Sequence, residues 1–354
     1  DSRSSTALAT AREAEIRGAV LSASLTREHL FLTADPYFVE VLREAAYGTK
    51  FNVYEGGSVG YLVSLETSRA IRDPEIAVNE SLHRVAFRNG LGNSLFAPSQ
   101  SKLDLSTVKG FGLRQSSFSD KVALVASGVD LSELERLARD LLSPDQVGLT
   151  KSSEATQASK YFGGERRVDA PSDETGHLAI GYPSGAFGSA ADCAAHVLKA
   201  YLGGWNSACD GTSPLGKVAA ATGACFQPFA YSYSDAGLFG VRIQSAYDKA
   251  QSAASAVVSE IRKAAEGIPE AEFARSVATA KVAILSALEN RVSLVECLGA
   301  QVLSGKVTGP IELAGKLDTL KAADVSKFAA TMLKSKPSVV AYGNTMALPY
   351  ADSL

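Results

Sequence analysis

Hydrophobic and polar positions change their period several times along the 354 residues. Residues 4–17 are helical in composition. Residues 19–35, AVLSASLTREHLFLTAD, read as two short strands around a turn at Thr26-Arg27-Glu28. Val39, Val41, Leu42 and Ala45 form the apolar set of a helix over 38–46, which Gly56 and Gly57 break off from the next segment. Residues 62–88 predict a mainly helical stretch with Ile76, Leu82, Val85, Ala86 and Phe87 as its apolar set. Asn89-Gly90 and Gly92 end it. KVALVASG at 121–128 is a continuous apolar run and predicts a buried strand. Asp130 then caps a helix, Glu133 completes a capping box, and Leu131, Leu134, Ala138 and Leu141 share one face. Pro144 stops it. Residues 145–164 are polar with little period and read as an interdomain linker.

The second half begins with a strand at 166–168 and another at 177–182. Ser189 and Asp192 open a helix that Gly203-Gly204 ends. The most strongly patterned stretch is GACFQPFAYSYSDAGLFGVRIQS at 223–245. Aromatic and β-branched residues flank Ser234-Asp235-Ala236-Gly237, the pattern of an antiparallel hairpin. Gly237 and Gly240 fall inside the second strand, where glycine marks a close backbone approach or a bulge. Taken by residue chemistry this is a core hairpin, with Asp235 its one carboxylate. An amphipathic helix over 247–265 comes next, and Pro269 sits in the first turn of another that runs to about residue 289. Three short helices (294–303, 311–320, 325–333) and a closing strand at 338–343 complete the chain.

The two halves share an order. KVALVASG at 121 matches PSVVAYG at 337, 216 residues later. The helix at 77–88 matches 293–304 at the same offset, and the strand pair from Arg17 matches the hairpin from Gly223 at 206. This order predicts an α+β protein of two homologous domains, each a mainly antiparallel sheet with helices on one face. The expected bounds are 1–145 for the first domain, 146–164 for the linker and 165–354 for the second.

Size and composition narrow the function. The length fits two domains. Apolar residues make up 46% and charged residues 21%, enough to build real cores. The net charge of −3 and the lack of a basic run argue against nucleic acid as the main partner. No stretch approaches the roughly 18 uninterrupted apolar residues of a membrane span. Cys193, Cys209, Cys225 and Cys297 fit neither a zinc ribbon nor a disulfide framework and are expected as reduced, mostly buried thiols. His29, His83, His177 and His196 contain no pair at helical spacing, so no His-x-x-Glu-His zinc motif exists. The start at Asp1 shows no signal peptide, and Glu13 and Glu15 argue against an intact organellar presequence.

Several motifs resemble one family. Tyr233-Ser234-Asp235-Ala236-Gly237-Leu238-Phe239-Gly240 is similar to a signature of the pitrilysin-type metallopeptidase superfamily. That group includes the mitochondrial processing peptidase subunits and the core proteins of ubiquinol–cytochrome c reductase. Thr26-Arg27-Glu28-His29 resembles an element of its first domain. Leu82-His83-Arg84-Val85-Ala86-Phe87-Arg88-Asn89, followed by Leu95-Phe96-Ala97-Pro98, resembles another. The stretch 213–222 and Ala341-Tyr342-Gly343-Asn344 look most like the core-protein branch.

The resemblance implies a whole-chain pitrilysin-like fold in which Tyr233, Asp235, Gly237, Leu238, Phe239 and Gly240 are a structural motif. Active relatives hold zinc with paired histidines and a glutamate. Here the matching glutamate position is Glu66, read as a solvated helix residue, and the paired histidines are absent. The implied function is a structural subunit of respiratory complex III, without catalytic residues, metal or cofactor. The implied partners are a core protein 1-like subunit, cytochrome b and cytochrome c1, on the matrix side of the mitochondrial inner membrane. The alternative is the non-catalytic, substrate-recognising subunit of the processing peptidase. That role calls for a loop richer in glycine than 203–216, which carries Trp205, Asn206, Cys209 and Asp210. The family fold also implies a strand and helix before Asp1.

Overall fold

The structure, a computed structural model, describes residues 6–34, 39–97, 104–116, 121–141, 157–170, 175–204 and 212–354. It is α+β. Two compact units emerge: Asp1–Arg69 with Leu95–Thr156 and Leu288–Val307, and Ala70–Ser94 with Gln157–Ala287 and Thr308–Leu354. Each unit therefore takes a helical segment from the far half of the sequence. The domain bounds 1–145, 146–164 and 165–354 remain a proposal. Residues 146–156 of the expected linker, and Pro144 before it, lie outside the described residues.

In the first unit, α1 (Ala7–Arg17) starts at Thr6, whose hydroxyl accepts the Ala9 N–H, and ends at Gly18 with φ 67°. β1 (Ser22–Leu25) and β2 (Leu30–Thr33) pair antiparallel, Leu25 opposite Leu30. Thr26 N–H donates to the His29 carbonyl and closes the expected turn. α2 (Val39–Tyr47), α3 (Val53–Arg72), α5 (Leu105–Ser116) and α6 (Leu131–Leu141) supply the helices. Gly56 and Gly57 do not break α3; they lie inside it. A Cβ on Gly56 would meet the side chain of Leu105, so glycine lets α5 approach.

The strand expected at 121–128 is not formed. Among the described residues the unit offers a single two-stranded ribbon. The apolar run has no ladder partner there and packs by side chain instead. Val125 lies against Gly299 of α11 (Arg291–Leu303), which also faces Phe31 of β2. Ser24 Oγ donates to Glu296 Oε1 of the same helix at 2.6 Å.

The second unit is built on one five-stranded sheet, order β3-β7-β4-β6-β5. Its strands are β3 (Gly164–Asp169), β4 (Thr175–Ser184), β5 (Cys225–Ser232), β6 (Gly237–Ala246) and β7 (Ser338–Gly343). Only β3 and β7 run parallel. Pro228, which has no N–H to give a ladder, sits on edge strand β5.

Strand alternation divides the sheet's side chains. Leu178, Ile180, Phe239, Val241 and Ile243 enter a buried cluster with Val197, Leu198, Leu215, Val257, Ile261, Val325 and Ala329. Those partners come from α7 (Ala190–Leu202), α8 (Pro214–Thr222), α9 (Ala250–Glu266) and α13 (Ala322–Leu333). α10 (Glu270–Glu289) and α12 (Pro310–Asp318) add Phe273 and Leu317.

The opposite face carries Ala179, Phe229, Leu238, Val340 and Tyr342, and α4 (Pro74–Phe87) covers it with Val78, Leu82, Ala86 and Phe87. The expected helices on one face are α7–α9 and α13. The covering of the second face by α4 departs from that expectation. The helical stretch at 62–88 is in fact two helices. Asp73 caps α4, accepting the Glu75 N–H at 2.8 Å, and Pro74 occupies its first turn.

Candidate functional site

The motif residues lie where β5 turns into β6. Ser232 pairs with Gly237, and Tyr233 N–H donates to the Ala236 carbonyl across the turn at 2.9 Å. Phe187 N–H donates to the Tyr233 carbonyl from outside it. Asp235 Oδ2 accepts the Ser159 N–H at 2.6 Å. A carboxylate held this way anchors a segment.

Gly237 and Gly240 are glycines for want of room. A Cβ on Gly237 would run into the Gly185 carbonyl, and one on Gly240 into the Ile180 carbonyl and, at 2.9 Å, the Gly181 Cα. Backbone cannot yield as a flexible side chain does. Gly181 stands opposite Gly240 in the ladder, and Leu82 of α4 fills the space over it. Leu238 and Phe239 are both fully buried, on opposite faces. Phe239 meets Phe328 edge to face, with ring centroids 6.2 Å apart.

The turn is seated on α4 through one buried imidazole. His83 Nδ1 lies 2.8 Å from the Asn79 carbonyl and Nε2 lies 2.6 Å from the Tyr233 hydroxyl. A carbonyl only accepts, so Nδ1 carries the proton. In the neutral ring Nε2 then accepts from Tyr233. Tyr231, Tyr233 and Phe87 surround the ring at centroid distances of 5.3, 5.9 and 6.4 Å. Beside them Tyr161 reaches Lys336 O and Ser338 Oγ, each at 2.9 Å, and burial pushes its phenol up to about 12. Arg242 of β6 pairs with Glu75 at the other end of α4.

Behind the turn, Asp192 is buried and accepts from Ser232 Oγ at 2.5 Å and Gly188 N–H at 2.8 Å. His196 lies 3.5 Å from the same carboxylate. Burial holds the imidazole below its usual range, against the pull of Asp192. Serine and histidine here share an acid; the serine hydroxyl donates its hydrogen bond to the carboxylate and not to an imidazole. That arrangement is not an activated nucleophile.

The six motif residues thus meet in one structural joint, and sequence reasoning missed the partners that complete it: His83, Tyr161 and Asp192. The signal for His83 was its place beside Leu82 in the apolar period of α4. Glu66 is exposed on α3 and His29 lies in the β1–β2 turn of the first unit. Among the described residues no three His, Cys, Asp or Glu side chains gather as a metal site. Burial raises the thiols of Cys193, Cys225 and Cys297. Cys209, with Trp205, Asn206 and Asp210, lies outside the described residues.

Known proteins share this framework. The Peptidase M16 inactive domain family matches residues 118–279. The mitochondrial cytochrome b-c1 complex subunit 2 of Cryptococcus neoformans is 35% identical over 99% of this chain and 82% of its own length. That of Yarrowia lipolytica is 32% identical over 98% and 83%. A chain in the solved Complex III2 of Candida albicans with Inz-5 bound superposes with a TM-score of 0.79 at 18% identity, covering 95% of this chain and 85% of that one. These matches agree with the reading of a whole-chain, non-peptidase pitrilysin-like fold. The chain belongs to the family of mitochondrial cytochrome b-c1 complex subunit 2 proteins.

Proposed function

We propose that the chain is a structural core subunit of mitochondrial respiratory complex III, required for its assembly and stability. One observation carries this reading: near-complete, 35% identical correspondence with a fungal cytochrome b-c1 complex subunit 2. We place it on the matrix side of the inner membrane, paired with a core protein 1-like subunit and in reach of cytochrome b and cytochrome c1. Permanent interfaces of such assemblies commonly bury more than about 2,000 Å². Among the described residues no helix is long and apolar enough to cross a membrane. Attachment through neighbouring subunits fits that. The role asks for no cofactor of its own.

A second reading has one observation in its favour. The alpha subunit of the mitochondrial processing peptidase from Solanum tuberosum is 26% identical over 97% of this chain and 71% of its own length. A tagged chain decides between them. Purified from mildly solubilised mitochondria, it carries cytochrome b and cytochrome c1 at equal stoichiometry under the first reading. Recovery with a catalytic peptidase subunit and no cytochrome supports the second and contradicts the first.

A further inference from the structure

Five exposed cations surround the C-terminal end of α4: Arg84, Arg88, Lys160, Arg166 and Lys336. None has an ion-pair partner among the described residues. The backbone draws them together. Phe162 N–H donates to the Ala86 carbonyl at 2.8 Å, and the Phe162 ring lies 4.3 Å from the Arg88 guanidinium and 5.5 Å from Lys160 Nζ. Tyr161 donates to the Lys336 carbonyl, and Arg166 stands opposite Val340, whose side chain faces α4. Arg88 is the centre of a γ-turn, φ 61° and ψ −56°, closed by Asn89 N–H to Phe87 O at 2.7 Å.

Two acids beside these cations are engaged. Glu165 pairs with Arg167 at 2.7 Å, and Asp235 accepts the Ser159 N–H. On a chain of net charge −3 this is a local surplus of positive charge. None of the large exposed apolar side chains falls in these segments, so the surface lacks what a membrane-inserting face needs. Arginine forks match carboxylates bidentately.

We propose that this surface docks an acidic segment of a neighbouring protein subunit, its carboxylates held by Arg84 and Arg88 with the lysines beside them. The proposal rests on the proposed membership of complex III. The test is carbodiimide treatment of the isolated complex, which joins lysine amines to adjacent carboxylates, and then mass spectrometry. Lys160 or Lys336 is expected cross-linked to an Asp or Glu of another chain. The variant R88E/K160E is expected in the complex at about one-fifth of the wild-type level or less, the loss of roughly 1 kcal/mol of affinity. R88Q/K160Q, which keeps volume and adds no charge, falls between. If the chain is present but both lysines stay unlinked and R88E/K160E assembles fully, the proposal is overturned. Protection of both lysines from acetic anhydride that phospholipase abolishes, without cross-links, assigns the surface to lipid phosphate and overturns it too. A chain absent from the complex overturns this proposal together with the functional reading, which separates the two failures.

Discussion

The Tyr233 hydroxyl lies 2.6 Å from His83 Nε2, across 150 residues of sequence, and donates a hydrogen bond to it in the neutral ring. Nδ1 of the same ring holds the Asn79 carbonyl. The contact ties the family's signature turn to the helix that covers the second face of the sheet. Tyr233→Phe keeps the ring and removes the donor. Leaving a buried acceptor short of a partner costs about 1–3 kcal/mol. Urea titration is expected to show that loss. A double-mutant cycle with His83→Ala is expected to give a coupling above about 0.5 kcal/mol.

Two glycine-to-alanine changes are expected to move stability in opposite directions. At Gly240 the new Cβ meets the Ile180 carbonyl and Gly181 Cα, so Gly240→Ala is expected to cost more than about 3 kcal/mol or to abolish folding. Gly315, in α12, has open space around its Cβ position. There Gly315→Ala is expected to add about 0.4–1 kcal/mol. Thermal melts of the two variants check both signs.

Leu82 is fully buried between α4 and the Gly181–Gly240 pair. Leu82→Ala is expected to cost about 2–5 kcal/mol through lost burial and the cavity left behind. Leu62, exposed on α3, is the control, where alanine is expected to stay within about 0.5 kcal/mol.

Acid should weaken the fold through two half-buried histidines. Burial lowers His177 and His196 below the ordinary 6.5, against the pulls of Asp73 and Asp192. The unfolded chain binds those protons first. Their contribution is therefore complete above pH 6.5 and is lost as pH falls through that value towards the lower folded one. The slope is at most about 1.4 kcal/mol per pH unit for each proton. Denaturation midpoints measured between about pH 7.5 and 5.5 should decline, and His177→Gln should flatten part of the decline.

Much of the second unit was legible because its signals are local. The strands read at 177–182 and 338–343 are β4 and β7. The Ser-Asp-Ala-Gly turn located the hairpin, and Pro269 located the start of α10. Glycine at 237 and 240 announced close backbone approach. The seat of α4 on the far face was not legible, since nothing local in Leu82 or His83 says which sheet they meet. The apolar run at 121–128 reads as a strand by composition, yet a strand also needs a bonded neighbour. The break at Asp73–Pro74 was hidden by helical periodicity on both sides, although Pro at a first turn preceded by Asp was there to be read. At Gly56 and Gly57 the error ran the other way: glycine served helix packing and did not end the helix.

On the proposed reading this chain holds complex III together and does none of its chemistry. The most direct measurement is depletion of the subunit in intact mitochondria, with assembled complex quantified on native gels and ubiquinol–cytochrome c turnover normalised to that amount. The predicted result is a fall in assembled complex with turnover per remaining complex unchanged. A normal amount of complex with reduced turnover per complex would contradict it.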